Sequence, residues 1–148
     1  MTTQTPDELD RRILSALADD ARISLKELAA RIGLSSPSTS ERLKRLEERV
    51  IRGFLLDVSP DALGYTLQAM VRIRPLPGKL HAVQRLIEDI PQVVECDKVT
   101  GEDCFFARLH VRSIGQLDEI LDRIADKSET HTAIVKSQPV RRRSLPLE

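Results

Sequence analysis

The spacing of apolar residues changes character near the middle of this 148-residue chain, and the change limits the folds open to it. Leu9, Ile13, Leu14 and Leu17 keep a helical spacing, as do Leu25, Leu28, Ala29 and Ile32, and then Leu43, Leu46 and Val50. From Leu67 the pattern alternates instead, with Leu67, Ala69, Val71 and Ile73 on one side of a half-buried strand. Helical spacing buries a stripe, whereas alternation buries one face of a sheet. A chain of this length holds one ordinary domain or two small ones, and the switch argues for two. Pro60–Tyr65, "PDALGY", reads as the linker, which gives domains at 1–59 and 66–148.

In the first half, "DDAR" breaks the first helix and Gly33 closes the second as a left-handed cap. "SSP" opens a third, with Ser36 as N-cap and Pro37 at the first helical position. Leu43, Leu46 and Val50 face inward with Thr39 behind them, and Ser38, Glu41, Lys44, Arg45 and Glu48 face outward. Two short helices joined by "IGLSS" form a helix-turn-helix pattern, in which the second helix offers its first turns to a major groove. Ser36, Ser38, Thr39, Arg42, Lys44 and Arg45 are the candidate DNA-contacting residues. Hydroxyls at a positively polarised helix N-terminus suit phosphates, and the cations reach phosphates or base edges. A solvated helix with a Glu41–Arg45 pair at i, i+4 is the competing reading. After it, "VIRGFLLDVS" reads as a strand pair or β-wing with Gly53 at the bend.

Charge does not decide between these readings. Basic and acidic residues number 23 each, so only local placement can favour nucleic acid. Residues 36–53 hold five basic against three acidic groups. Aromatics at 3% and the lack of tryptophan argue against a stacking platform for single strands. No apolar run approaches the roughly 18 residues of a membrane span. "MTTQTPDELDRR" has no secretory pattern, so the expectation is a cytoplasmic protein without a membrane partner.

In the second half, Leu80, Val83, Leu86, Ile87 and Ile90 predict an amphipathic helix stopped by Pro91. "VVECDKVT" and "CFFARLHVR" are strands around a turn at Gly101–Glu102–Asp103. A helix over Ile114–Ile124 and a final strand, "THTAIVKSQPV", complete a βαββαβ order. The fold class is therefore α+β: a winged helix-turn-helix followed by a ferredoxin-like unit. Cys96, set opposite Arg108, lies on the order of 13 Å from Cys104, too far to bridge. His81, His110 and His131 lack ligand spacing, so no metal site is expected. "TGEDC" alone is either a plain hairpin turn or a binding loop. "RRR" at 141–143 is a solvated tail, or a contact for phosphates or a neighbouring subunit.

"LDRRILSAL", "DARISLKELAARIGLS", "ERLKRLE" and "IRGFLLDVSPDALG" resemble the DNA-binding half of the Lrp/AsnC, or feast/famine, transcription regulators. "VVECDKVTGEDCFFARLHVRS" and the helix after it resemble their amino-acid-binding RAM domain. The resemblance covers nearly the whole chain, in order. It implies double-stranded DNA as partner, a small amino acid as effector, no other cofactor, and no enzymatic activity. It also implies a dimer through the C-terminal sheets, assembling further to tetramers, octamers or larger assemblies. The effector site it implies is Thr100, Gly101, Glu102, Asp103 and Cys104 with Ala133, Ile134 and Val135.

Two departures stand out. The family commonly reads LE-x-x-G-V-I where this chain has "LEERVI", without glycine between Arg49 and Val50. Either Arg49 takes a left-handed cap, costing about 1 kcal/mol against glycine, or the helix ends differently. The family's loop often reads G-x-x-D, whereas here Asp103 comes one residue early and Cys104 stands in its place. Two other functions share the fold or the DNA contact: a sirohaem-type tetrapyrrole decarboxylase and a nucleoid-organising protein. Scattered histidines and the basic "ERLKRLEER" helix disfavour the enzyme, and weak sequence selectivity would mark the packager.

Overall fold

The computed structural model describes residues 5–148. Met1–Gln4, the start of the segment read for a secretory signal and of the first domain, lie outside the described residues. The chain divides by its contacts into two units. One runs to Leu56 and takes in Val140–Glu148, and the other is Asp57–Pro139.

The helical unit has α1 (Glu8–Asp19), α2 (Leu25–Ile32) and α3 (Ser36–Arg49). Asp7 caps α1 in a reciprocal box: its carboxylate accepts from the Asp10 N–H at 2.8 Å, and Asp10 accepts from the Asp7 N–H. Ser24 caps α2, and Gly33 ends it in the left-handed region at φ +78°. Ile13, Ala16, Leu28, Ile32 and Leu46 form the core the helical spacing calls for.

Two local expectations change here. The N-cap of α3 is Ser35, not Ser36; its hydroxyl accepts from the Ser38 N–H. Neither register asks Pro37 for an N–H, so adjacent serines left the choice open. At the other end, Arg49 takes no left-handed cap, since no described residue except glycine has positive φ. The N–H groups of Val50 and Ile51 both donate to the Leu46 carbonyl, at 2.8 and 2.7 Å. That widened, π-type last turn ends the helix without glycine. The expected strand pair after α3 is not formed, for residues 51–59 hold no strand. β-branched and apolar residues favour a strand only when another edge supplies its hydrogen bonds.

In the second unit, β1 (Leu67–Pro75), β2 (Val93–Lys98), β3 (Phe105–Val111) and β4 (Ser128–Ile134) form an antiparallel sheet in the order β2-β3-β1-β4. This is the expected ferredoxin-like order, with α4 (Leu80–Glu88) and α5 (Ile114–Asp122) covering one face. Ala69, Val71, Ile73, Phe105, Ala107 and Leu109 point into that core against Val83, Ile87, Leu117 and Ile120. The opposite face carries Met70, Arg72, Phe106, Arg108 and His131. β4 starts and ends earlier than the sequence suggests. Cys96 pairs with Ala107 rather than Arg108, in the register that runs back from Lys98 opposite Phe105 at the hairpin end. Both thiols are free.

Pro60–Tyr65 is not a slack connector. Asp61–Leu63 is a 3-10 turn closed by Gly64, and the Tyr65 N–H donates back to the Pro60 carbonyl. The Arg112 guanidinium stacks 4.4 Å from the Tyr65 ring centre, and the Thr66 hydroxyl donates to the Arg112 carbonyl. These bonds tie the turn to the strand side of the second unit. Gly64 sits at φ +83°, where an added Cβ would lie 2.4 Å from Arg112 Nη1. The substitution Gly64→Ala should therefore cost about 1–2 kcal/mol in urea unfolding, mostly from the left-handed backbone, since the arginine tip can move.

Candidate nucleic-acid interface and effector loop

Burial fixes which side of α3 meets solvent. Thr39 is fully buried, its hydroxyl donating to the Ser35 carbonyl at 2.9 Å, and Leu46 is buried two turns further on. Arg42 also points inward: Nη1 donates to Asp7 at 2.7 Å and to Asp10 at 2.8 Å. Of the six candidate DNA contacts, these two are turned away from a groove. A threonine at an inward helical position is small enough to bury when its hydroxyl finds a carbonyl one turn back. Arg42 goes inward because the capping carboxylates of α1 wait there. Ser36, Ser38, Lys44 and Arg45 are exposed, as is Ser40, which the sequence reading passed over. Ser38 shares its hydroxyl with Ser35 at 3.0 Å, so the N-terminal turn of α3 presents a preset polar edge.

Asp7 is held below the usual carboxylate value of 3.8, first by the Asp10 N–H and then by Arg42. Arg42 is raised in turn by the two carboxylates. Arg45 and Arg49 line a small cleft beside this cluster, with Thr5, Pro6 and Leu46. Helix α3 is thus fixed to α1 by a charged staple over a shared apolar core.

In the second unit, Thr100–Cys104 links β2 to β3. Gly101 takes φ +106°, and the Val99 N–H donates to the Cys104 carbonyl at 2.8 Å to close the turn. The Cys104 thiol faces the Gly101 and Glu102 carbonyls, each 3.6 Å away. Burial, and then Asp97, raises the Cys96 thiol pKa, which keeps it protonated. Both acids of the loop reach β1: Asp103 lies 3.5 Å from Arg72, and Glu102 pairs with Arg74. Sequence reasoning missed these arginines, although "VRIRP" places them two apart on one strand face.

Ala133, Ile134 and Val135 do not join this loop within one chain. The loop end of β3, Phe105, aligns with Ile73, and Ile73 with Thr130. Ala133 lies three residues beyond Thr130 on the far strand, away from the hairpin tip. Two strand spacings and three residues put the two groups well over 10 Å apart. His81 and His131 are exposed, and His110 is half-buried with its pKa lowered by burial and by Arg108. The described residues contain no cluster able to hold a metal ion, and no described helix is long and apolar enough to cross a membrane.

A capped helix-turn-helix with an outward basic helix, followed by a ferredoxin-like sheet with a charged hairpin loop, defines a two-part DNA-binding regulator. Residues 68–145 match the Lrp/AsnC ligand binding domain, and residues 6–49 match a winged helix-turn-helix DNA-binding family. The regulator LrpA of Mycobacterium tuberculosis is 36% identical over 128 residues, covering 85% of each chain. A solved feast or famine regulatory protein of the same organism, complexed with L-methionine, superposes with a TM-score of 0.86 at 34% identity, covering 94% of this chain and 97% of that one. A Neisseria meningitidis transcriptional regulator in complex with L-Met gives 0.89 at 25% identity, with 97% of both chains covered. The chain belongs to the Lrp/AsnC family of transcriptional regulators.

The staple predicts an acid-sensitive helical unit. Because folding depresses the Asp7 pKa, its contribution is complete above about pH 5 and is lost as pH falls through 3.8 toward the lowered folded value. Replacing Arg42 with Gln should lower the Tm at neutral pH by roughly 3–5 °C. It should also shrink, without abolishing, the loss on acidification, since the Asp10 N–H remains. Thermal melts followed by circular dichroism between pH 3 and 7 measure both effects.

Proposed function

We propose that α3 lies in the major groove of operator DNA, with Ser36, Ser38 and Ser40 near phosphates and Lys44 and Arg45 reaching phosphates or base edges. The outward grouping of these side chains, while Thr39 and Arg42 face the core, is the observation that supports this most. In this reading Thr39 and Arg42 position the helix rather than touch DNA. The effector is a small amino acid at Thr100–Cys104, with Ala133, Ile134 and Val135 supplied by another copy of the chain. The register supports the second copy, because one chain keeps the two groups apart. The relatives solved with L-methionine support the ligand class.

Self-association uses the helix-free face of the sheet, where Phe106 is 38% exposed beside Met70. Exposed Leu55 and Leu56 add apolar surface that further assembly would cover. Dimers, and assemblies of dimers up to octamers, then place several α3 helices on one DNA, multiplying modest affinities. Effector binding changes the assembly through its differential affinity for the two states. The protein works without catalysis, in the cytoplasm, where its two free thiols stay reduced.

The test is binding to DNA from upstream of the chain's own coding region, with salt varied and competitor DNA present. Saturable, competitor-resistant binding with a steep salt slope is expected. Lys44→Ala and Arg45→Ala should each weaken binding, and each should reduce the slope by about 1 if it meets a phosphate. Competitor-sensitive binding would favour a packager of DNA, and unchanged binding by both variants would contradict the placement of α3.

A further inference from the structure

The two acids of the hairpin loop are already neutralised inside one chain, and this limits how an amino acid can bind there. Resting on the effector reading above, we propose that Arg72 is a specificity-determining residue: it holds Asp103 in the free protein and takes the effector's carboxylate when the effector's ammonium takes Asp103. The exchange inserts one zwitterion between the members of one ion pair. Each charge keeps an opposite partner throughout, so the partly buried Asp103 carboxylate is not left alone.

Three features single out this pair. First, Arg72 and Asp103 stand 3.5 Å apart, beyond the roughly 2.7–2.9 Å of a charge-assisted hydrogen bond. The Arg42 contacts in the same chain, at 2.7 and 2.8 Å, have that geometry. The loop pair is therefore loosely made and opens at small cost. Second, Asp103 is only 28% exposed, whereas Glu102 is 78% exposed. Desolvation strengthens a contact at Asp103 far more than one at Glu102. Third, Arg72 lies in register with Phe106, the second residue of β3, so its guanidinium sits at the hairpin end of the sheet face. There its planar fork can meet a carboxylate with two parallel N–H groups. Gly101 at φ +106° keeps the adjoining backbone free of a side chain that would crowd the same space. Arg74 pairs with the more exposed Glu102 and steadies the loop rim.

The ligand class follows: an α-amino acid with both charged ends free. An α-amide lacks the carboxylate for Arg72, and a deaminated acid lacks the ammonium for Asp103. The experiment uses the full chain and the twenty amino acids as probes in a thermal-shift screen. The tightest binder and its α-amide are then titrated by calorimetry into wild type, Arg72→Gln and Arg72→Lys. Wild type is expected to prefer the acid over the amide by about tenfold or more, the scale of a hydrogen bond to a charged group. Arg72→Gln should lose about tenfold for the acid while hardly changing the amide, so that the preference disappears. Arg72→Lys should restore part of it, since the charge returns without the fork. Equal weakening of acid and amide, or an unchanged preference in Arg72→Gln, would overturn the assignment of Arg72 and leave the effector reading standing. Failure of wild type to bind any of the twenty would overturn both.

Discussion

The rotation of α3 about its own axis decides what the N-terminal unit can do, and three inward attachments set it. Leu46 packs into the apolar core, Thr39 is sealed against the Ser35 carbonyl, and Arg42 is held by Asp7 and Asp10. These residues share one face, so the serines of the first turn, Lys44 and Arg45 are left on the other. The capping box that starts α1 thus also orients α3. One pair of carboxylates does both, which makes the helical unit depend on charges at its N-terminal edge more than its size suggests.

Much of this was legible in the sequence, because helical spacing and alternation report burial directly. The three N-terminal helices and the βαββαβ order of the second half follow from Leu, Ile, Val and Ala positions. Arg42 was not legible as an inward residue, since its partners lie 32 and 35 positions away in the chain. An arginine on a helix reads as solvated until the carboxylates that desolvate it are known. The strand expected after α3 failed for a different reason: propensity describes a willing segment, while a ladder needs a second edge. The missing glycine after Arg49 proved to be a local matter, because two N–H groups converging on Leu46 end the helix without a left-handed residue.

The loop site shows the same limit at longer range. "TGEDC" marked a glycine turn with acids nearby, and the structure bears the turn out at Gly101. Only the strand register reveals that Arg72 and Arg74 face those acids, and that Ala133–Val135 lie at the other end of the sheet. Alternation along β1 says which residues share a face, but not which hairpin end they meet. The two surfaces are therefore alike in one respect: in each, an arginine pairs with an acid that sequence order sets far from it.

The most direct test of this account is an NMR titration of the ¹⁵N-labelled protein with DNA from its own upstream region. Backbone amides of the first two turns of α3 should shift on binding, while the Arg42 guanidinium Nη signal, locked onto Asp7 and Asp10, should stay in place. A large shift of the Arg42 signal, or α3 amides that do not move while the protein binds DNA, would contradict the orientation of α3 on which the rest depends.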